Sequence, residues 1–487
     1  MPDYMMTIGG ASVGAADTFP VINPATEEVV AHAPNATRQD VDRAMEAARL
    51  AFGAWARDPQ ARREVLTEAA VALDAIIEDL VPVLTAEQGK TLDDARFEAA
   101  LPGRWLRHFI ALGAPEEEVL QDDEIAISVL KRAPIGVVAG ITPWNFPIYQ
   151  VIEKLAPALM AGNTVVVKPS PYTPLTTLMM GEALRGVLPP GVVNIVSGSD
   201  AVGEWMTTHP VPRKVAFTGS VATGRRVAAA VASDLKLVTL ELGGNDPAIV
   251  LDDADVELIA PKILWTAFGN CGQICNAIKR VYAPAERYDS LVEALAEQAR
   301  GIVVGRGTDD GVHLGPLNNR PQWERVIELT RDAIASGATA VTGGEPLPGP
   351  GYFFAPTVLR EISDGVRVVD EEQFGPVLPV IRYETVDDAI SRANATHFGL
   401  SASVWSGDED RAIAVADLLE AGTVGINSHM IGGERICYGG VKWSGIGVVN
   451  GREGLLGYTV PRVVNRARAW QGVELPAALE ATGAEAA

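Results

Sequence analysis

Cys275 is the residue with the clearest capacity for chemistry. It is the last residue of the segment Phe268-Gly-Asn-Cys-Gly-Gln-Ile-Cys275, which contains two glycines. The whole chain of 487 residues has only three cysteines. A thiol acts as a nucleophile in its thiolate form, which a helix N-terminus or nearby hydrogen-bond donors can favour. An isolated cysteine is more often an inert buried thiol, so the rest of the sequence must decide between these interpretations.

Other segments place polar side chains next to turns or strand ends. Pro143-Trp-Asn145-Phe-Pro147 follows an apolar strand-like run, and Lys168-Pro-Ser follows another. Glu241-Leu-Gly-Gly244 ends a third run with a carboxylate beside two glycines. Glu371-Glu-Gln-Phe374-Gly-Pro376 adds a carboxylate and an aromatic ring at a turn. Together these segments outweigh the interpretation of Cys275 as an inert thiol.

The turn Gly219-Ser-Val-Ala-Thr-Gly224 has the glycine spacing of a P-loop. Arg225 and Arg226 stand where lysine and serine or threonine are required, so the P-loop interpretation fails. What remains is a strand that enters a helix through a Gly/Ser turn, and the free N–H groups of such a helix start can hold a pyrophosphate. No His-Glu-x-x-His or Cys-x-x-Cys pair occurs in the sequence, and we expect no metal site.

The elements that must position these residues alternate between strands and helices. The first 115 residues read as mainly helical, with Thr37 and Asp40 as a capping box and a long periodic stretch over 62–87. From Ile135 onward, strands are predicted over 136–142, 164–168, 192–196, 214–218 and 236–240, with helices between them, the first over 154–160. This alternation predicts a mostly parallel sheet covered on both faces, with ligands at the carboxyl ends of its strands. A second α/β region follows Gly244.

Composition limits the class of protein. The 47% hydrophobic and 21% charged residues suit a well-packed chain of two or three domains. A formal net charge of −22 repels phosphate backbones and anionic lipids, so neither nucleic acid nor membrane is an expected partner. Three cysteines suit a reducing compartment, and Met1–Gly14 has no basic segment followed by an apolar stretch, so a cytoplasmic location is expected.

In order and spacing, these motifs resemble the aldehyde dehydrogenase superfamily over almost the whole chain. Asn23-Pro-Ala-Thr-Glu27 and Gly439-Gly-Val-Lys-Trp-Ser-Gly445 extend the likeness towards both ends. The resemblance implies an α/β fold with a Rossmann-like cofactor domain, an α/β catalytic domain and a small β arm for oligomerisation. The implied limits are residues 1–113 with 134–243 for the first, 244–441 for the second, and 114–133 with 452–478 for the arm and C-terminal strand.

The arm also bears on the assembly. Ile125–Leu130 alternates apolar and polar residues without a strand-like partner nearby in sequence, and such a lone arm often completes its sheet on another subunit. Members of the superfamily are dimers or tetramers, so the resemblance implies a homodimer or homotetramer. It further implies that the arm near Ile125–Arg132 pairs across subunits with the strand around Gly457–Val464.

The reaction implied by the resemblance is the NAD(P)-dependent oxidation of an aldehyde to a carboxylic acid. Cys275 would attack the aldehyde to give a thiohemiacetal, whose oxyanion the Asn145 amide and the Cys275 N–H would hold. Hydride loss would leave a thioester, and Glu241 would activate the water that hydrolyses it. Members that pass the acyl group to coenzyme A typically lack this glutamate, so release of the free acid is expected. Cys271 leaves open a reversible disulfide with Cys275.

Cofactor contacts carry over onto matching positions. Lys168 is expected at the adenine-ribose hydroxyls, Ser220 at the pyrophosphate, and Glu372 at the nicotinamide ribose. Pro171 stands where many NAD-preferring members have a glutamate that repels a 2′-phosphate. NAD is the first choice, and the absence of this glutamate keeps NADP open as an alternative. The full predicted set is Thr142, Pro143, Trp144, Lys168, Ser170, Gly203, Phe217, Gly219, Ser220, Gly243, Glu372 and Phe374.

The substrate pocket follows from the same alignment of motifs. Its predicted lining is Phe146, Gln150, Glu153, Gly269, Ile274, Asn276 and Tyr438, with the segment 429–437 at its rim. Gly269 replaces a bulkier side chain of some relatives, which indicates a roomy tunnel. Glu153 would disfavour an anionic substrate tail unless Arg435 folds in to bind one. We therefore expect a neutral, medium-sized aldehyde, aliphatic or aromatic.

Two other functions fit parts of the pattern. A cysteine-dependent acyltransferase would use a thioester without nicotinamide, and Glu372 and Phe374 argue against it. A non-catalytic binding protein descended from such an enzyme would be expected to lose Cys275, Asn145 or Glu241, and all three are present.

Overall fold

The computed structural model describes residues 4–429 and 432–468. The strands in that part of the chain are β1 Met6–Ile8, β2 Ala11–Val13, β3 Thr18–Ile22, β4 Val29–Pro34, β5 Glu118–Asp122, β6 Ala126–Pro134, β7 Val137–Ile141, β8 Thr164–Lys168, β9 Val193–Ile195, β10 Lys214–Thr218, β11 Leu237–Glu241, β12 Asp246–Val250, β13 Ile278–Pro284, β14 Thr339–Thr342, β15 Thr357–Ile362, β16 Val377–Tyr383, β17 Ser401–Trp405, β18 Thr423–Ile426, β19 Gly445–Ile446 and β20 Thr459–Ala467. The helices are α1 Arg38–Arg57, α2 Pro59–Ala75, α3 Ile77–Gln88, α4 Leu92–Ala99, α5 Leu101–Leu112, α6 Pro147–Met160, α7 Leu175–Arg185, α8 Asp200–Thr208, α9 Val221–Ala232, α10 Val256–Phe268, α11 Tyr288–Arg300, α12 Arg320–Ala335, α13 Arg367–Asp370, α14 Val386–Asn394, α15 Glu409–Ala416 and α16 Gly451–Leu456.

The larger sheet has the strand order β19-β11-β10-β7-β8-β9-β1-β2. Its central strands β11, β10, β7, β8 and β9 run parallel, and the strands at both edges are antiparallel. Strands β7, β8 and β10 are buried along their whole length, because the sheet is covered on both faces. The carboxyl ends of these strands therefore share one edge, which carries Thr142, Lys168, Gly219 and Glu241.

The second sheet has the order β14-β15-β16-β13-β12-β17-β18, in which β14 alone is antiparallel to its neighbour. Successive residues of β12 point to opposite faces. Ile249 joins the apolar core on one side, whereas Ala248 and Val250 join the core on the other. Helix α10 packs against one of these faces and leads directly into the segment that ends at Cys275.

A third sheet, β20-β6-β5, corrects the expectation that the arm pairs with a strand of another subunit. Strand β6 pairs antiparallel with β20 of the same chain over nine positions, from Pro134 opposite Thr459 to Ala126 opposite Ala467. The predicted partner of the arm, the strand around Gly457–Val464, is confirmed, but the placement of this pairing across subunits is wrong. The reason is that α16 and the buried Tyr458 anchor the chain in the core of the first sheet, which delivers Thr459 beside Pro134. The part of the predicted C-terminal strand over 469–478 lies outside the described residues.

The predicted α/β class with a parallel, Rossmann-like sheet is confirmed. Strands β8 and β10 have the predicted limits, whereas α6 begins at Pro147 and not at Lys154. The stretch 62–87 is two helices that meet at Ile76, and strands β1–β4 were not predicted. None of the described helices is both long and apolar enough to cross a membrane. The domain limits remain predictions.

Candidate active site

Cys275 lies in a short loop between α10 and β13. Asn270 and Cys271, which precede it, both have a positive φ (51° and 58°), a conformation that non-glycine residues adopt only when their surroundings hold them there. Gln273 supports this turn, because its Nε2 donates to the Asn270 carbonyl oxygen at 2.8 Å. Lys279 holds the end of the loop, since its Nζ donates to the carbonyl oxygens of Ile274 and Cys275, both at 2.9 Å. Burial raises the pKa of the Cys275 thiol to about 12, and the Lys279 charge opposes this shift. Lys279 was not predicted to belong to the site.

Asn145 reaches this loop from the other sheet. It follows β7 in the turn before α6, and its Nδ2 donates to the carbonyl oxygen of Gln273 at 3.0 Å. In return the Asn270 amide donates to the carbonyl oxygen of Asn145 at 3.0 Å. These reciprocal bonds fix the Asn145 side chain against the segment that carries the thiol.

Glu241 is the last residue of β11, and no described residue donates a hydrogen bond to either of its buried carboxylate oxygens. Burial raises the pKa of Glu241 well above its ordinary value; the neighbouring Glu153 raises it further and Lys154 lowers it. Strand pairing fixes the position of Glu241 on both sides, because it lies opposite Thr218 of β10 and opposite Gly445 of β19. Next to it, Ser444 accepts from Leu242 N through its carbonyl (2.8 Å) and donates its hydroxyl to the Gly243 carbonyl (2.8 Å).

Behind Glu241, α6 contributes a buried polar network. Lys154 Nζ donates to Thr218 Oγ1 at 2.6 Å and lies 3.6 Å from Glu153 Oε2. The other Glu153 oxygen accepts from the Tyr149 hydroxyl at 2.7 Å. Asn450 extends the network, because its amide donates to Tyr149 at 3.3 Å and its oxygen accepts from Trp105 Nε1 at 3.0 Å. Of this network only Glu153 was predicted to belong to the site, since no sequence motif joins its members.

The predicted pocket residues divide into two groups. Tyr438 is next to the nucleophile, with its hydroxyl 3.9 Å from Cys275 Sγ, and Ile274 and Asn276 flank the thiol in sequence. A Cβ on Gly269 would lie 3.5 Å from Ile274 Cδ1, so Gly269 also belongs to this group. The polar ends of Gln150 and Glu153 instead face Lys154, and the Phe146 ring lies under the Lys90 ammonium at 3.9 Å. In the predicted rim, Met430 and Ile431 lie outside the described residues.

The predicted cofactor residues gather at the carboxyl edge of the larger sheet. Thr142, Pro143 and Trp144 follow β7, Lys168 and Ser170 come at the end of β8, Phe217, Gly219 and Ser220 come at the end of β10, Gly243 follows β11, and Gly203 lies on α8. Glu372 and Phe374 reach this edge from the loop before β16. The Trp144 and Phe374 rings meet edge to face with centroids 5.4 Å apart.

Two features of this edge are compatible with a bound dinucleotide. A Cβ on Gly243 would overlap the Glu372 carboxylate, so glycine is needed where this acid approaches the backbone. Burial raises the pKa of Glu372 to about 7, and the Gly244 N–H donates to its Oε1 at 3.1 Å. In addition, Ser220 caps α9 by accepting from Thr223 N at 3.3 Å, which leaves other N–H groups of the first turn for a pyrophosphate.

Comparison with known proteins identifies the family. The sequence model of the aldehyde dehydrogenase family matches residues 12–464. Among curated proteins, the phenylacetaldehyde dehydrogenase of Pseudomonas fluorescens is 37% identical over 94% of this chain and 95% of its own. The 3-sulfolactaldehyde dehydrogenase of Pseudomonas putida is 38% identical over 92% of this chain and 93% of its own.

Solved structures of aldehyde dehydrogenases lead to the same family assignment. The NAD+ complex of the betaine aldehyde dehydrogenase of Staphylococcus aureus superposes with a TM-score of 0.94 at 33% identity, covering 98% of this chain and 97% of that one. The NAD+ complex of an aldehyde dehydrogenase of Bacillus cereus gives 0.94 at 34% identity, covering 96% and 97%. The chain therefore belongs to the aldehyde dehydrogenase family, whose members oxidise aldehydes to carboxylic acids with a nicotinamide cofactor and a catalytic cysteine.

Proposed function

We propose that this enzyme oxidises a neutral, medium-sized aldehyde with NAD+ and releases the free acid. The observation that carries the proposal is the charge balance around the thiol. Near the thiol, Lys154 is paired with Glu153 and Lys279 lies 3.7 Å from Glu372; at the predicted rim, Arg104 lies 2.8 Å from Glu434. Each of these cations already has an acid, so they offer no free positive charge to a carboxylate or sulfonate on the substrate.

Aromatic side chains favour an apolar substrate as well. Tyr438 lies against the thiol, and Tyr149, which is within electrostatic reach of Cys275, meets Trp105 edge to face with centroids 5.2 Å apart. Arg435, the cation that could bind an anionic tail, has a side chain 83% exposed and lies 4.0 Å from Glu434. The names of the relatives cover both kinds of substrate, phenylacetaldehyde and 3-sulfolactaldehyde, so the choice rests on these contacts.

In the proposed mechanism, the Cys275 sulfur bonds to the aldehyde carbon while the thiol proton leaves to solvent, so Glu241 stays ionised for the later step. The carbonyl oxygen becomes an oxyanion that accepts from Asn145 Nδ2 and the Cys275 N–H; one such donor typically contributes about 3–4 kcal/mol to the transition state. The Asn145 amide has two N–H groups, so one can donate to the oxyanion while the other keeps its bond to the Gln273 carbonyl. When bound, NAD+ supplies the acceptor for the hydride that leaves the same carbon.

Glu241 then acts on the resulting thioester. Its buried carboxylate, which no described donor occupies, takes a proton from water as the water oxygen bonds to the acyl carbon. The carbon–sulfur bond breaks, the acid leaves, and the departing Cys275 sulfur takes up the proton that Glu241 holds, which restores both residues. A carboxyl whose pKa is raised by burial is a stronger base when ionised, which suits this step.

Lys168, Ser220 and Glu372 are the residues that we propose hold the adenine ribose, the pyrophosphate and the nicotinamide ribose. Their support is position: each stands at the same edge of the larger sheet, at a strand end, a helix start and a glycine-lined turn. The remaining predicted residues at this edge would complete the contacts with NAD+.

The assembly is part of the proposal. We propose a homodimer or homotetramer, because the sheet β20-β6-β5 exposes apolar side chains such as Val119, Leu120 and Val463. Light scattering after size-exclusion chromatography should give two or four chains, and a stable active monomer would contradict this. A cytoplasmic location, favoured by the three free cysteines, would be tested by cell fractionation.

The test of the function compares the native enzyme with Cys275→Ala and the matched control Cys437→Ala. Reduction of NAD+ and NADP+ is followed with phenylacetaldehyde, alkanals and carboxylated or sulfonated aldehydes. Neutral aldehydes should give the highest kcat/KM, and only Cys275→Ala should abolish turnover. If a carboxylated semialdehyde has a higher kcat/KM than every neutral aldehyde, the substrate proposal is wrong. Acyl exchange without cofactor reduction would indicate an acyltransferase, and cofactor binding without either reaction would indicate a non-catalytic descendant.

A further inference from the structure

The loop after β8 lacks an acid where the adenine ribose is proposed to bind. Residues 169–173 read Pro-Ser-Pro-Tyr-Thr, so Pro171 offers no hydrogen-bond acceptor on its side chain. We propose that Asp200, the first residue of α8, supplies the missing carboxylate and selects NAD+ over NADP+. This inference rests on the proposed function in one respect, the placement of the adenine ribose at Lys168.

Strand pairing brings Asp200 to the right edge of the sheet. Strands β8 and β9 are parallel neighbours, with Val167 opposite Ile195, and Val196 N donates to the Val167 carbonyl at 2.9 Å. The chain that leaves β9 therefore emerges beside Lys168, because neighbouring parallel strands lie about 4.8 Å apart. Helix α8 begins only five residues after the end of β9.

Helix α8 then turns one face to Lys168. A Cβ on Gly203 would lie 3.7 Å from Lys168 Cδ, an ordinary contact distance. Asp200 is three residues before Gly203 and so lies on the same face of the helix, one turn nearer its start. Among the described residues, the Asp200 carboxylate forms neither a hydrogen bond nor an ion pair with another side chain, and it is exposed.

The electrostatics agree with this placement. Burial lowers the pKa of Lys168 to about 8, and the Asp200 charge acts against that shift. Burial raises the pKa of Tyr172, and the Asp200 charge raises it further. Asp200 therefore lies within electrostatic reach of the side chains on both sides of Pro171.

The proposed chemistry is that of a carboxylate beside a diol. An ionised carboxylate only accepts hydrogen bonds, which suits the 2′- and 3′-hydroxyls of the adenine ribose. A 2′-phosphate would bring further negative charge against the same acid, and like charges at this distance repel. Lys168, which donates to the Pro169 carbonyl at 3.1 Å, would bind either cofactor on its own; Asp200 makes the difference between them.

The test measures the Kd of NAD+ and NADP+ by calorimetry without aldehyde, and kcat/KM for both with aldehyde. Asp200→Asn should lower the preference for NAD+ at least tenfold, whereas Asp200→Glu should keep most of it. Glu204→Gln removes the same charge one turn farther along α8 and should leave the ratio unchanged. An equal change in Glu204→Gln, or none in Asp200→Asn, would overturn the inference.

Lys168→Met separates this inference from the proposed binding mode. If the variant weakens both cofactors while Asp200→Asn leaves their ratio unchanged, the ribose site stands and the role of Asp200 is refuted. If Lys168→Met changes neither Kd, the proposed ribose site is itself wrong, and the role of Asp200 fails with it. Thermal unfolding of each variant shows that the fold is retained.

Discussion

Alkylation of Cys275 by iodoacetamide in the cofactor-free enzyme should become about tenfold faster with each unit of pH between 7 and 10, because only the thiolate reacts. Burial raises the pKa of the thiol to about 12. At pH 8 only about one molecule in 10⁴ would then carry the thiolate, and the fraction grows tenfold per unit until the pH reaches the pKa. Peptide mass spectrometry follows Cys275 separately from Cys271 and Cys437.

A charge substitution tests the cause of the raised pKa. The Glu241 charge adds to the effect of burial on Cys275, so Glu241→Gln should make alkylation faster at pH 9. The Lys279 charge acts in the opposite direction. A rate that levels off at or below pH 9 in the native enzyme would refute the reasoning, because it would show an ordinary thiol pKa despite the burial.

Four further variants test the site. Glu241→Gln keeps the shape of the side chain and removes the base, so about one equivalent of reduced cofactor should appear in a burst before turnover about 10²–10⁴ times slower than native. Asn145→Ala should lower kcat about 10²–10³-fold with a small change in the KM for aldehyde, since one oxyanion donor is lost. Gly243→Ala should raise the KM for the cofactor by displacing Glu372, with kcat at saturation less affected. Glu153→Gln should move the acid limb of the kcat profile to lower pH, because the Glu153 charge raises the pKa of Glu241 and its loss lets the base stay ionised in more acidic solution.

Each of these outcomes can fail in a distinct way. A linear time course without a burst in Glu241→Gln would place its role before the thioester, and an unchanged kcat in Asn145→Ala would remove the oxyanion assignment. A Gly243→Ala enzyme with the native KM for cofactor would show that the acid need not approach the backbone. Tyr149→Phe, which removes one hydrogen bond but no carboxylate charge, is the matched control for Glu153→Gln and should shift the acid limb less.

The sequence predicts the larger sheet well for a physical reason. Strands β8 and β10 are short, buried on both faces and rich in valine, so their limits are visible as continuous apolar runs. The start of helix α6 was predicted too late in the chain. Because 13 of its 14 residues are buried, no polar face marks its start at Pro147. The strands before residue 35 are short, and the sequence shows no clear alternation there.

In the site, too, some residues could be predicted from the sequence and others could not. Cys275, Asn145 and Glu241 stand in recognisable local motifs, and the structure brings them to one place. Lys154 and Asn450 carry no local signal, since their partners are set by packing between segments 64 and 301 residues apart in sequence. The partner segment of β6 was predicted correctly although it lies more than 300 residues later in the chain, but its assignment to another subunit was wrong, because an apolar and polar alternation does not show which chain supplies the partner.

The two-residue strand β19 has a consequence for how the enzyme is made. It closes the sheet beside Glu241, yet it is separated from β11 by the whole of the second sheet. During synthesis at about 5–20 residues per second, some 200 residues follow Glu241 before its neighbour Gly445 is available, so the nascent chain waits on the order of 10–40 seconds with that edge unpaired. Active enzyme should therefore emerge only after release of nearly the full chain, and fragments that end before residue 444 should be inactive although they contain Cys275, Asn145 and Glu241.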